Sequence, residues 1–203
     1  MNGLVNMYDE FLKRILDCTL AAILLLTLIP LFMFLFICVK LDSRGPFLFR
    51  QKRIGRDLKE FTIYKIRTMD KKSGDDANDP STPYITTKKN DPRITRLGKY
   101  LRSSHMDELP QIYNVFIGEM SFIGVRPDAP SQVSDYSYNT WLKRNLYRPG
   151  ITGLSQIHSS DPNFNASRRR KYDLAYVCSK NKFLLDLCIL FKTLIKVSEQ
   201  NAN

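Results

Sequence analysis

The chain has 203 residues, 43% of them hydrophobic, enough to bury one core of ordinary domain size, and disorder of the whole chain is not expected. Against 20 Asp and Glu stand 31 Lys and Arg, a formal net charge of +11 that calls for an anionic partner: nucleic acid, an acidic membrane surface or a phosphorylated substrate. Four cysteines without CxxC spacing and only 2 histidines argue against a disulfide framework, a zinc site and a histidine-based metal cluster.

From Cys18 to Val39 no residue is charged, a run long enough for the roughly 20 residues of a bilayer crossing. Pro30 sits near its middle and removes a backbone donor, so the helix should kink or break there. Each arm is then about 15 to 18 Å long, half of a hydrocarbon core of about 30 Å. Lys13 and Arg14 precede the run, and Lys40, Arg44, Arg50, Lys52 and Arg53 follow it, so both flanks read as cytoplasmic. A re-entrant hairpin satisfies both observations, and a Pro-kinked spanning helix is the alternative.

Two alternating runs around Gly55 to Asp57 predict a β-hairpin, whose basic residues, Lys52, Arg53, Lys65 and Arg67, could equally be edge-strand charges. Asp70 to Asp91 is polar, with Gly74, Pro80 and Pro83, and reads as a long surface loop. Ile94, Leu97 and Leu101 recur at helical spacing and predict a helix over Arg93 to Ser103. Pro110 suits the first turn of a following helix and Gly118 its end, which places Asp107 and Glu108 at a helix N-terminus. SFIGV reads as a short buried strand, Ser131 to Arg144 as a helix, and RPGITG as a tight backbone path. Helices are predicted around Asn165 to Cys178 and Phe183 to Val197, the second amphipathic and suited either to a membrane surface or to the core.

An Asp-Glu pair at a helix start has a plain explanation in the helix dipole. Its setting offers another: Arg102, Arg126 and Arg148 lie in flanking segments, two of them in Arg-Pro dipeptides, and arginine forks match phosphate oxygens. The strings KRILD, GPFLFRQKRIG, FTIYKIRTM, DPRITRLGKYLR, MDELPQIYNVFIGEMSFIGVRPD and RPGITGLSQ resemble the small monotopic bacterial polyprenyl-phosphate phosphoglycosyl transferases. The likeness runs in fixed order from about Lys13 to Gln156, and more loosely to Val197.

That resemblance implies an α+β fold with two parts. Residues 1–41 would form a re-entrant membrane helix broken at Pro30, and residues 42–203 a mainly helical catalytic domain with a small β-hairpin and amphipathic interfacial helices. It implies a place on the cytoplasmic face of the bacterial inner membrane, with a UDP-sugar donor, a polyprenyl (undecaprenyl) phosphate acceptor, membrane lipid as a partner and no nucleic acid. Asp107 matches the family's nucleophile and Glu108 its neighbouring acid. Mg2+ is the implied metal, with Asp107 as its protein ligand, and Arg102, Arg126 and Arg148 match positions expected to hold phosphate. Lys65 and Arg67 match a motif with no assigned step. Departures from the common pattern are His105 and Met106 before the dyad and HSSDPNFNASRRRKYD after Gln156, which lacks an expected Gly-Arg pair; they leave the sugar open. His158 reads as an ordinary surface or hydrogen-bonded histidine. The oligomeric state is not encoded in these features, so a homo-oligomer stays open. A membrane-tethered basic binding module would explain the charge but not the Asp-Glu-Leu-Pro context, and a nucleotide-sugar hydrolase would make the apolar anchor incidental.

Overall fold

The computed structural model describes residues 11–70 and 91–201, so the loop expected over Asp70 to Asp91 lies, except for its two end residues, outside the described residues. Helix α1 (Lys13–Thr27) and helix α2 (Ile29–Asp42) meet at a 59° bend. Pro30 is the second residue of α2, where its missing donor costs little, and Leu28 bridges the break by donating to Leu24 and accepting from Phe32, both at 2.9 Å. Among the described residues no single helix is long and apolar enough to cross a membrane, but this bent pair together is.

One side of each arm of the apolar run packs on the rest of the chain. Ala21 of α1 is sealed among Phe61, Ile63, Ile112, Val115 and Met120, and Leu35 and Val39 of α2 share a second cluster with Ile66 and Leu101. The other sides stay bare: Leu26, Met33, Phe34 and Leu41 are exposed. Both outer ends of the pair are also tied down by polar bonds. Arg14 donates to the Val115 and Phe116 carbonyls at 2.6 and 2.7 Å, and buried Arg67 donates to the carbonyls of Ser43 at 2.6 Å and of Arg44, closing the end of α2. Orphan helix carbonyls are thereby satisfied by guanidinium groups from distant sequence.

The expected hairpin is present as β1 (Leu48–Ile54) and β2 (Glu60–Ile66), antiparallel with Arg50 opposite Tyr64 and Gln51 opposite Ile63. Its tip carries Asp57 and Leu58 at left-handed φ and is pinned to Asn145, whose carbonyl accepts from Asp57 N at 2.8 Å. Helix α3 (Arg96–Ser103) begins three residues later than the spacing predicts, because Thr95 caps it with a 2.9 Å side-chain bond to Gly98 N while Asp91 holds Arg93 outside it. Helix α4 (Gln111–Ile117) runs from Pro110 to Gly118, which adopts the left-handed φ of 91° that ends helices.

Strand β3 (Ser121–Ile123) pairs in parallel with β4 (Gly150–Thr152). The expected helix over Ser131 to Arg144 is instead two pieces, a 3-10 turn at Pro130–Asp135 and α5 (Tyr138–Arg144). Tyr136 and Ser137 are extended between them, and the Tyr136 hydroxyl is drawn inward to Asp128 at 2.7 Å. Helices α6 (Leu154–Ile157), α7 (Ala166–Val177) and α8 (Lys182–Asn201) complete the chain. Ile189 of α8 is sealed with Ile123, Val125, Tyr176 and Val177, while Leu184, Leu187, Phe191 and Leu194 face outward.

The tight path expected of RPGITG comes from backbone crossing backbone. A Cβ on Gly150 would lie 2.0 Å from the Gly124 nitrogen, and one on Gly153 would lie 1.9 Å from its oxygen. Gly150→Ala should therefore destabilise the fold by roughly 3 kcal/mol or more, read as a lower urea midpoint, because backbone cannot yield as a side-chain end can.

Candidate active site

The turn that carries the dyad is built by α3 docking on the end of β2. Gly98 lies against the Thr68 carbonyl, where a Cβ would come to 2.2 Å, and Arg102 Nε donates to Thr68 Oγ1 at 2.8 Å. After α3 the chain reverses through His105 at φ 57°, a left-handed conformation in which histidine is enriched among non-glycine residues. A 3-10 turn, Met106–Glu108, follows and leads through Pro110 into α4. The dyad thus occupies its own turn, immediately before the helix that starts beyond Pro110.

Within that turn the two carboxylates have different surroundings. Glu108 Oε1 accepts from Lys65 Nζ at 2.6 Å and from Arg126 Nη2 at 2.9 Å. Burial pushes its carboxyl up, but Arg126 and Lys65 outweigh this and hold it well below the ordinary glutamate range. Asp107 is 9% exposed, and among the described residues no donor holds its carboxylate. Burial pushes Asp107 up, opposed by the charges of Lys65, Arg102 and His105 and reinforced by Glu108. One carboxylate is bonded through a single oxygen to two cations, and its neighbour keeps its lone pairs.

The structure brings Lys65, Arg102, Arg126, Asp107 and Glu108 together. It places Arg148 elsewhere: its Nε donates to the Gly118 carbonyl at 2.9 Å, at the end of α4 opposite the dyad, where Arg14 also binds. Arg67 closes α2, as described above, and His158 stacks on Tyr172 at 4.6 Å. The contact of Lys65 with Glu108 is visible only in three dimensions, since it joins β2 to the dyad turn across 43 residues. Beside Pro110 lies a cleft of about 380 Å³, lined by Leu25, Phe32, Phe47, Leu48, Tyr64 and Tyr113. It opens where α1 and α2 bend, and its walls are almost entirely apolar.

For a metal, the described residues offer no group of three His, Cys, Asp or Glu side chains. Glu108 already carries two cations on Oε1, whereas the Asp107 carboxylate is held by no donor among the described residues. A donor set of one carboxylate fits Mg2+, which is commonly held by one or two carboxylates with substrate phosphates and water.

Residues 8–200 match the model of the bacterial sugar transferase family. The chain belongs to that family. It is 37% identical over 198 residues to a UDP-glucose:undecaprenyl-phosphate glucose-1-phosphate transferase of Klebsiella pneumoniae, covering 95% of this chain and 41% of that one. It is 36% identical over 204 residues to an undecaprenyl-phosphate galactose phosphotransferase of Salmonella typhimurium, again covering 95% and 41%. The exopolysaccharide production protein PSS of Rhizobium leguminosarum is 37% identical over 196 residues, covering 92% of this chain and 95% of that one. The chain thus spans about two fifths of the first two relatives and nearly all of the third.

Proposed function

We propose that this chain transfers a sugar 1-phosphate from a UDP-sugar to undecaprenyl phosphate, releasing UMP and starting glycoconjugate synthesis. The observation that carries this reading is the divided dyad: a Glu108 bonded through one oxygen to two cations beside an Asp107 whose carboxylate no donor among the described residues holds. A carboxylate oxygen of Asp107 attacks the sugar-bearing phosphorus, a P–O bond forms, and the bond to the UMP oxygen breaks with its electron pair leaving on UMP. A phosphate oxygen of the lipid then attacks the same phosphorus, the aspartyl–phosphate bond breaks, and Asp107 is regenerated. The acceptor is already anionic near neutral pH, so no general base is required of Glu108. Its role is to hold Lys65 and Arg126 together beside the reacting phosphate, while Arg102 adds a third positive charge near Asp107. Mg2+, held by Asp107 and the diphosphate, would supply charge neutralisation and Lewis acidity.

The membrane reading rests on the bent pair. Both outer ends of α1–α2 bond to the same globular body, as a hairpin entering and leaving one face requires, and both flanks are basic. Residues 1–41 then act as the re-entrant anchor and 42–203 as the catalytic domain, on the cytoplasmic face of the inner membrane. The bare face of α8 suits the interface. The apolar cleft between the bend and Pro110 suits the first prenyl units of the acceptor.

The test is UMP release from a panel of UDP-sugars by detergent-solubilised protein with Mg2+, with and without undecaprenyl phosphate. Lipid-dependent release is expected with at least one donor. Release indifferent to lipid would favour a hydrolase, and no release from the panel would overturn the transferase reading.

A further inference from the structure

Arg126 reaches Glu108 from a segment with unusual backbone restraint. Four successive carbonyls are bonded to three parts of the fold: Val125 accepts from Gly150 N at 2.9 Å, Arg126 from Arg144 Nη2 at 2.5 Å, and Pro127 and Asp128 from the end of β1, through Arg53 Nη1 at 3.3 Å and Ile54 N at 2.9 Å. Pro127 additionally fixes its own φ. Of these donors only Arg144 is a fully buried charge, 2% exposed. Its guanidinium is spent in three directions, with Nε on Asp173 at 3.0 Å and Nη1 on Asp128 at 3.1 Å besides the Arg126 carbonyl. Arg169 completes the group by binding Asp128. Two arginines balance two carboxylates, each carboxylate 1% exposed, so the cluster is neutral as a unit.

A neutral buried cluster of this kind is weak evidence for stability, since well-packed apolar residues often do as well. Its geometric content is the bond to the Arg126 backbone, made by the one group whose other contacts leave it no freedom. We propose that Arg144 is a positioning residue for the phosphate site: with Asp128 and Asp173 it fixes the backbone of Arg126, so that the 43%-exposed Arg126 side chain meets a diphosphate in one orientation. Preorganised donors avoid reorganisation cost when the charge arrives. A lysine at 144 would keep the charge but not the planar fork that serves three acceptors.

This inference rests on the proposed reaction only in taking Arg126 to bind phosphate, and a double-mutant cycle tests it. Affinity for UDP, which carries the diphosphate without a sugar, is measured by calorimetry with Mg2+ for wild type, Arg144→Lys, Arg126→Ala and the double variant, each checked for a cooperative melt. Arg126→Ala should weaken binding by roughly 30-fold and Arg144→Lys by roughly 10-fold, with the double variant within about 2-fold of Arg126→Ala alone, because coupled groups do not add. A double variant weakened by the product of the two, or an Arg144→Lys that binds UDP as wild type does, would overturn the proposal. If Arg144→Lys does not fold, Asp173→Asn takes its place in the cycle, since it loosens the same guanidinium while leaving Asp128 in contact, and the same two patterns decide. Wild-type protein that binds UDP with the coupled pattern but releases no UMP would sink the transferase reading and leave the positioning role standing; wild-type protein that binds no UDP would overturn the positioning role itself.

Discussion

Asp107→Asn is expected to lower lipid-dependent UMP release by at least ~10³-fold, as loss of a covalent nucleophile does, while making the metal-free protein more stable at neutral pH. The stability gain follows from burial. Burial raises the Asp107 carboxyl above its ordinary value of 3.8, so the folded state binds this proton more tightly than the unfolded chain does. Stability therefore falls as pH rises from about that ordinary value through the raised one. Below 3.8 the aspartate is protonated in both states and the penalty vanishes. Asparagine never ionises, so in EDTA the urea midpoint of Asp107→Asn should match wild type in acid and exceed it increasingly toward neutral pH. A variant less stable than wild type at neutral pH would show that Asp107 is a structural anchor. The companion readout is intact mass: wild type given donor without lipid should gain one phosphosugar, and Asp107→Asn should gain none.

Elements with strong local signals were legible in the sequence: the hairpin around Gly55 to Asp57, the Pro30 break, and the α4 limits at Pro110 and Gly118 all follow from residues acting on their own backbone. The helix expected over Ser131 to Arg144 failed for the complementary reason. Nothing local forbids it, and the extended Tyr136 that interrupts it is explained by a hydroxyl bond to Asp128 and the guanidinium of Arg144 against its ring, contacts made only by the folded chain. The same limit applies to the site. Asp107, Glu108, Arg102 and Arg126, named from chemistry and resemblance, lie together in the fold, but Arg148, with the same Arg-Pro context as Arg126, lies at the far end of α4. Lys65 and Arg67, two residues apart on one strand pattern, divide between the dyad and the α2 terminus. Which cation faces which acceptor depends on how β2, α3 and α4 meet, and that is a tertiary property.

Lys65 and Arg126 both bind Glu108 Oε1, yet replacing each with methionine should have different consequences. Lys65→Met is expected to lower kcat/KM for the donor by about 10²-fold, through loss of a preorganised charge at the reacting phosphate. It should also reduce stability by roughly 1–3 kcal/mol at neutral pH, because a largely buried carboxylate loses a bond. Arg126→Met should cost comparable activity but less stability. Its side chain is 43% exposed against 17% for Lys65, so water screens its hold on Glu108 even though both charges pull that carboxyl down. The pH dependence separates this pair from Asp107. Glu108 is held below its ordinary value of 4.5, so its contribution to stability is fully present above that value and is lost as pH falls through the depressed one. The gap in urea midpoint between wild type and Lys65→Met should therefore be widest above pH 4.5 and close in acid, opposite in sign to the Asp107→Asn gap that also closes there. Equal stability losses for the two methionine variants, at every pH, would mean that Lys65 and Arg126 share Glu108 without the division of labour that their burial implies. A loss of stability without a loss of turnover in Lys65→Met would remove Lys65 from the phosphate site and return it to the strand as a structural charge.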